Sequence, residues 1–123
     1  MSETTEQLLH RYDQAWNDHD VDTIVALHGP GMVFHNHTAA ERVEGDAVGP
    51  HIAQIFKSWP DLAFRGNQLR IRDDIAVSEW TASATHPDGR RLEWDGVDIF
   101  ALADGKIVRK DVYSGGASPR VIG

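Results

Sequence analysis

"RRLEWDGVDIFALADGKIVRKDVYS", residues 90–114, holds two strand-length runs joined by Ala103-Asp104-Gly105. Successive side chains of a strand point to opposite faces. In GVDIFALA this sends Val97, Ile99 and Ala101 one way and Asp98, Phe100 and Leu102 the other. Both sets are mostly apolar, whereas an antiparallel sheet with one wet face alternates cleanly. One face is therefore expected to pack on helices and the other on a second subunit. Two similar runs lie upstream, LAFRGNQLRIR (62–72) and DIAVSEWTASATH (74–86), and the turn signals DD, PDG and ADG separate the four. Consecutive strands joined by tight turns read as an antiparallel meander.

Ahead of Pro60 the periodicity changes. In TTEQLLHRYDQAWNDHD (4–20) the apolar positions Leu8, Leu9, Tyr12, Ala15 and Trp16 recur three and four apart, which is one face of a helix. Thr4 or Thr5 can cap its start, and NDHD ends it with turn-forming residues. VDTIVALH (21–28) reads as a second short helix with Ile24, Leu27 and His28 inward, and GPG then breaks the chain. Met32 to His37 reads as a strand. A third helix is expected from about Asp46 to Trp59, with Val48, Ile52, Ile55 and Phe56 on one face and Pro60 as its stop. Helices first and strands afterwards predict an α+β fold with the helices on one face of the sheet. Residues 1–114 read as one domain, and GGASPRVIG (115–123) as a flexible tail that frays or lies across a neighbour.

The 123 residues suffice for one core and not for two ordinary domains. A net charge of −7, from 19 acidic and 12 basic residues, excludes a nucleic-acid surface, which needs clustered Lys and Arg. With no cysteine, disulfides, thiolate nucleophiles and Cys-ligated zinc are all excluded. No run approaches the roughly 20 apolar residues of a membrane span, and MSETTEQ is acidic where a secretion signal would be basic and then apolar. A cytoplasmic location is expected.

Asp98 is the most informative single residue, because it shares a strand face with Phe100 and Leu102. Such a carboxyl either lines a cavity, where desolvation raises its pKa and lets it donate a hydrogen bond, or is satisfied by backbone amides at a bulge. Tyr12, on the apolar face of the first helix, needs a partner for its hydroxyl; opposite Asp98, the pair could converge on one substrate oxygen. In MVFHNHTA (32–39), Val33, His35 and His37 share one face and Phe34 and Asn36 the other. If Val33 faces the core, so do both imidazoles, making His35 a candidate general base and His37 a pocket-lining neighbour. The alternatives are a hydrogen-bonded pair at a strand end, or two metal ligands; no third ligand is evident from spacing, so no metal and no cofactor are expected. The four tryptophans, Trp16, Trp59, Trp80 and Trp94, together with Phe34, Phe56 and Tyr113, either pack the core or wall a pocket for a flat hydrophobic ligand. Asp111 shares a face with Tyr113 and is a second candidate acid, while Asp13 is expected at the surface. Neither a phosphate-binding glycine loop nor a nucleophile elbow is present.

RYDQAWNDHDVDTIVALH leading into MVFHNHTA, then VEGDAVGPHIAQIF, WTASATH and GVDIFALADGKIVRKDVYS, in this order and spacing, are similar to the SnoaL-like and ketosteroid-isomerase-like branch of the nuclear transport factor two (NTF2-like) superfamily. The likeness spans about residues 5–114. It implies a cystatin-like or NTF2-like cone, in which a curved antiparallel sheet wraps three helices around a central pocket, usually within a homodimer. It also implies that Tyr12 and Asp98 stand where those isomerases hold the substrate oxygen, and that His35 stands where they carry an aspartate base. That exchange argues against steroid isomerisation itself and leaves proton transfer open. Related folds host polyketide cyclases, whose acid/base aspartate resembles Asp98 or Asp111, dehydratases that use histidine, and epoxide hydrolases, whose Asp-Arg-Asp set does not assemble from this sequence; fold alone does not choose among them.

The expected function is that of a cofactor-independent acid/base enzyme, isomerase or polyketide cyclase in type, acting through an enolate on a small hydrophobic carbonyl compound. Its catalytic residues would be His35, Tyr12 and Asp98. Trp16, Phe34, His37, Phe56, Trp59, Trp80, Phe100, Asp111 and Tyr113 would line the pocket. The alternative is a non-catalytic ligand-binding or dimerisation module of the same fold.

Overall fold

The structure is a computed structural model and describes residues 3–123. Helix α1 spans Thr5–Asn17 and α2 Val21–Ala26; strands β1 (His28–Asn36) and β2 (Glu41–Glu44) follow, then a 3-10 turn at Gly45–Ala47 and helix α3 (Val48–Ser58). The remaining strands are β3 (Ala63–Arg72), β4 (Ile75–Thr85), β5 (Arg91–Ala103), β6 (Lys106–Ser114) and β7 (Arg120–Val121). Thr4 caps α1 reciprocally with Gln7, satisfying two amides that the helix itself cannot. At its other end Asn17 clasps Phe64 of β3, donating to its carbonyl at 3.1 Å and accepting from its amide at 2.8 Å. Leu8, Leu9, Tyr12, Ala15 and Trp16 are all buried, as the spacing predicts.

One seven-stranded sheet runs in the order β2-β1-β6-β5-β4-β3, with β7 paired to the first residues of β5. The meander from β3 to β6 is antiparallel throughout, but β1 pairs with β6 in parallel. Asp104 and Gly105, both with positive φ, make the tight turn between β5 and β6. The sheet is open and curved, and register shifts interrupt β1, β3 and the β5–β6 pairing. Helices and the inner face of the sheet enclose the core around Tyr12, Ile24, Ile52, Phe100 and Ile107.

Three expectations change. GPG does not break the chain: β1 runs through it from His28, and Gly29 lets the strand pass Val108, where an added Cβ would stand 2.8 Å from Val108 Cγ1. The segment 41–44, not foreseen as a strand, forms β2 on the edge of the sheet. The tail is not frayed. Val121 pairs with Leu92, Arg91 donates its amide to the Gly123 carbonyl at 2.8 Å, and Arg120 bridges Glu93 and Asp95. No helix among the described residues is long and apolar enough to cross a membrane.

Candidate functional site

The inner face of the sheet is set by register. Ser78, Asp98 and Val112 form one cross-strand row, and Ala76, Phe100, Lys110 and Phe34 the next. Ile107 and Lys110 both point inward although they stand three positions apart, because Val108 is an extra residue between paired Ile107 and Arg109. That bulge brings a lysine onto an otherwise apolar face. Its Nζ stands 3.7 Å from Asp98 Oδ2 and 4.0 Å from the centre of the Trp16 ring, with the rings of Tyr12, Phe34 and Phe100 within 5.8 Å.

Asp98 and Lys110 lie at the junction of two adjoining spaces. One is a cavity of about 460 Å³, within the range of small-molecule sites. Trp16, Phe34, Trp59, Trp80 and Trp94 contribute to its walls. The other is a recess of about 60 Å³ reached by Asp13, Trp16, Ser78 and Trp80. Trp80 fits because position 96 is glycine: a Cβ there would lie 2.3 Å from Trp80 Cη2. Asp98 Oδ1 and the indole nitrogens of Trp16 and Trp80 are buried and have no hydrogen-bond partner among the described residues. Buried polar groups are nearly always paired, so three orphans beside one cavity mark a place built to meet polar atoms.

Burial dominates the electrostatics. It pushes the Asp98 carboxyl above its ordinary range, against the opposing pull of Lys110, and pushes the Lys110 amine down against the pull of Asp98. Asp13 is raised to about 6 by desolvation. His28 is lowered to about 4 by desolvation and, secondarily, by Lys110.

Of the expected site residues, Trp16, Phe34, Trp59, Trp80 and Asp98 line the cavity. Phe56 and Phe100 are buried core residues beside it. Tyr12 is fully buried, but its hydroxyl shares a 2.9 Å hydrogen bond with His28 Nε2 and lines neither space. Asp13 is half-buried in the recess rather than at the surface.

His35 and His37 face away from the cavity. Met32 and Phe34 are the buried residues of β1, 2% and 3% exposed, so the larger apolar pair takes the core and Val33 and His35 take the other side. His37 Nε2 and Asp111 Oδ1 are 2.7 Å apart, Arg109 donates to both Asp111 oxygens, and the rings of His35, His37 and Tyr113 stack. Asp111 and Tyr113 thus also leave the pocket-lining set. Donor atoms of His35, His37 and Asp111 lie within 4.8 Å of one another, with both Asp111 oxygens already engaged.

Lys110 escaped the sequence reading. Its signal was the parity it shares with Val112, one row from Asp98: an acid on an apolar face calls for a cation on the neighbouring strand.

The SnoaL-like domain matches residues 9–110 of the chain. The chain belongs to the SnoaL-like domain family. No curated protein matches it. Among solved structures, the SnoaL-like chain is similar to the epoxide hydrolase/cyclase-like enzyme SalBIII of pyran ring formation in salinomycin. The TM-score is 0.83 at 21% identity, over 95% of each chain. It is also similar to a putative SnoaL-like polyketide cyclase from Jannaschia sp. CCS1 (TM-score 0.79, 16% identity, 96% of this chain and 93% of that one). An NTF2-like protein of unknown function from Burkholderia pseudomallei superimposes with a TM-score of 0.84 at 15% identity, over 94% of each chain. The fold is therefore the cystatin-like or NTF2-like one of this SnoaL-like family.

Proposed function

We propose that the cone is the active site of a cofactor-independent acid/base enzyme of cyclase type, which takes a flat hydrophobic carbonyl compound and moves a proton at the carbon beside the carbonyl. Asp98 carries that proton. The carbonyl oxygen is received by N–H groups of Lys110, Trp16 and Trp80. Tyr12 acts on Lys110 through its ring and on His28 through its hydroxyl, and His35 stands outside the reaction.

The observation that carries this reading is the set of unpartnered polar atoms, Asp98 Oδ1, Trp16 Nε1 and Trp80 Nε1, beside Lys110 in an aromatic cavity. Donors aimed where negative charge develops in a dry site are the commonest large source of rate enhancement. Cyclase-named neighbours of the same fold support the choice of reaction class.

The reading is tested with benzylacetone, a hydrophobic methyl ketone, by following exchange of its α-hydrogens in deuterium oxide by NMR. Wild-type protein should accelerate exchange, and Asp98→Asn should reduce the acceleration by about 100-fold or more. Equal rates with and without protein would defeat it.

The outer face of the sheet exposes Ile75, Ile99 and Tyr113, and we assign it to a second copy of the chain. Light scattering should return the mass of a dimer, and Ile99→Glu should shift it toward the monomer.

A further inference from the structure

Among the described residues Lys110 is the one buried lysine or arginine, and its surroundings suit a nucleophile better than a salt-bridge partner. It is 5% exposed, and that remaining access is to the cavity and recess it lines. Its nearest carboxylate oxygen, Asp98 Oδ2, stands 3.7 Å away, beyond hydrogen-bond reach. An ammonium group has three N–H donors to satisfy, and four aromatic rings surround this one. Rings attract a cation, but they accept no strong hydrogen bonds. Burial therefore favours the neutral form of both partners: a free amine beside a protonated acid.

We infer that Lys110 reacts covalently, condensing its amine with the carbonyl carbon of a bound ketone or aldehyde to form an imine, with Asp98 shuttling the protons. This rests on the reading of the cone as a carbonyl-binding acid/base site. Nζ attacks the carbonyl carbon, a C–N bond forms, and the carbonyl π pair moves to oxygen, which takes the proton of Asp98. The nitrogen returns one proton to the Asp98 carboxylate, leaving a neutral carbinolamine. The nitrogen lone pair then expels the hydroxyl, which leaves as water with the Asp98 proton, and the product is a protonated imine beside a carboxylate. Asp98 now removes an α-proton to give an enamine. The enamine carbon is free to attack an electrophilic carbon of the same molecule, and hydrolysis reverses the condensation. No oxidant, reductant or co-reactant besides water is required.

Trapping reads this directly, because the chain has only three lysines, and Lys57 and Lys106 are exposed. The full chain is incubated with benzylacetone and sodium cyanoborohydride, and the reduced adduct is located by peptide mass mapping. Labelling of Lys110 should exceed that of Lys57 or Lys106 by at least about ten-fold. Lys110→Arg, which keeps a long N–H donor but forms no imine, should lose the adduct, and Lys106→Arg should keep it. An unlabelled Lys110, or equal labelling of all three lysines, overturns the inference. The wild-type mapping decides the matter even if Lys110→Arg fails to fold. Accelerated α-exchange with Lys110 unlabelled would sink the imine and leave acid/base catalysis standing. Labelling of Lys110 without accelerated exchange would do the reverse.

Discussion

Lys110 and Asp111 are neighbours in the chain and opposites in the molecule. On the inner face Lys110 meets Asp98 loosely, both dry and short of hydrogen bonds. On the outer face Asp111 is held by Arg109 and His37 at 2.7–3.1 Å. Arg109 and then His37 hold the Asp111 carboxyl below its ordinary range, whereas burial drives Asp98 above it. An ion pair whose partners are satisfied is structure; a buried pair with capacity left over is reactive. The imidazoles that suggested catalysis in the sequence belong to this outer face, His37 on Asp111 and His35 stacked on His37.

The largest effect should come from leaving one member of the inner pair alone. Asp98→Ala should cost about 1–3 kcal/mol in urea unfolding, and Asp98→Leu with Lys110→Met should recover most of it, because the buried amine left without its polar partner is the expense. A loss as small as that of a surface pair would mean that water reaches Lys110.

Gly96→Ala should cost about 1–3 kcal/mol by driving a methyl group into the Trp80 ring, and should shift tryptophan fluorescence as the ring leaves β5. Ligand binding should weaken with it. An unchanged spectrum would remove Trp80 from the wall.

The acid response sharpens the contrast within the inner face itself. Asp13 is raised from 3.8 to about 6, so its charged form is disfavoured in the fold: the cost is present above pH 6 and is relieved as pH falls toward 3.8. His28 is lowered from 6.5 to about 4, so its contribution is present above pH 6.5 and is lost as pH falls toward 4. Relative to wild type, Asp13→Asn should therefore be stabilising at pH 7, on the order of 1 kcal/mol, with the advantage fading toward pH 4. His28→Gln should show the opposite slope. Parallel slopes in thermal denaturation at stepped pH would contradict both assignments.

Smallest of all, Asp111→Asn should cost under about 1 kcal/mol and leave α-exchange unchanged. If it lowers exchange as far as Asp98→Asn does, the division of labour between the two faces is wrong.

Much of this was legible in local pattern. The capping of α1, its buried stripe, the four long strands with their turns and the inward direction of Asp98 all follow from spacing and turn chemistry over a few residues. β1 was misread because Met32, Val33 and Phe34 are all apolar, so alternation permits either face. Lys110 was missed because strict alternation does not anticipate Val108. Asp13 looked like a surface acid because its helix position said nothing of the β-strand beneath it.

Taken alone, the amino-acid order determined the elements, their sequence and the placing of an acid among apolar neighbours, since periods of 3.6 and 2 residues are properties of a single segment. Tertiary structure alone decided that β1 turns Phe34 inward and both histidines outward, and that a one-residue bulge carries Lys110 to Asp98. Those outcomes depend on which side chains fill the volume against α1 and α3 and on how neighbouring strands fall into register, and no single segment holds that information.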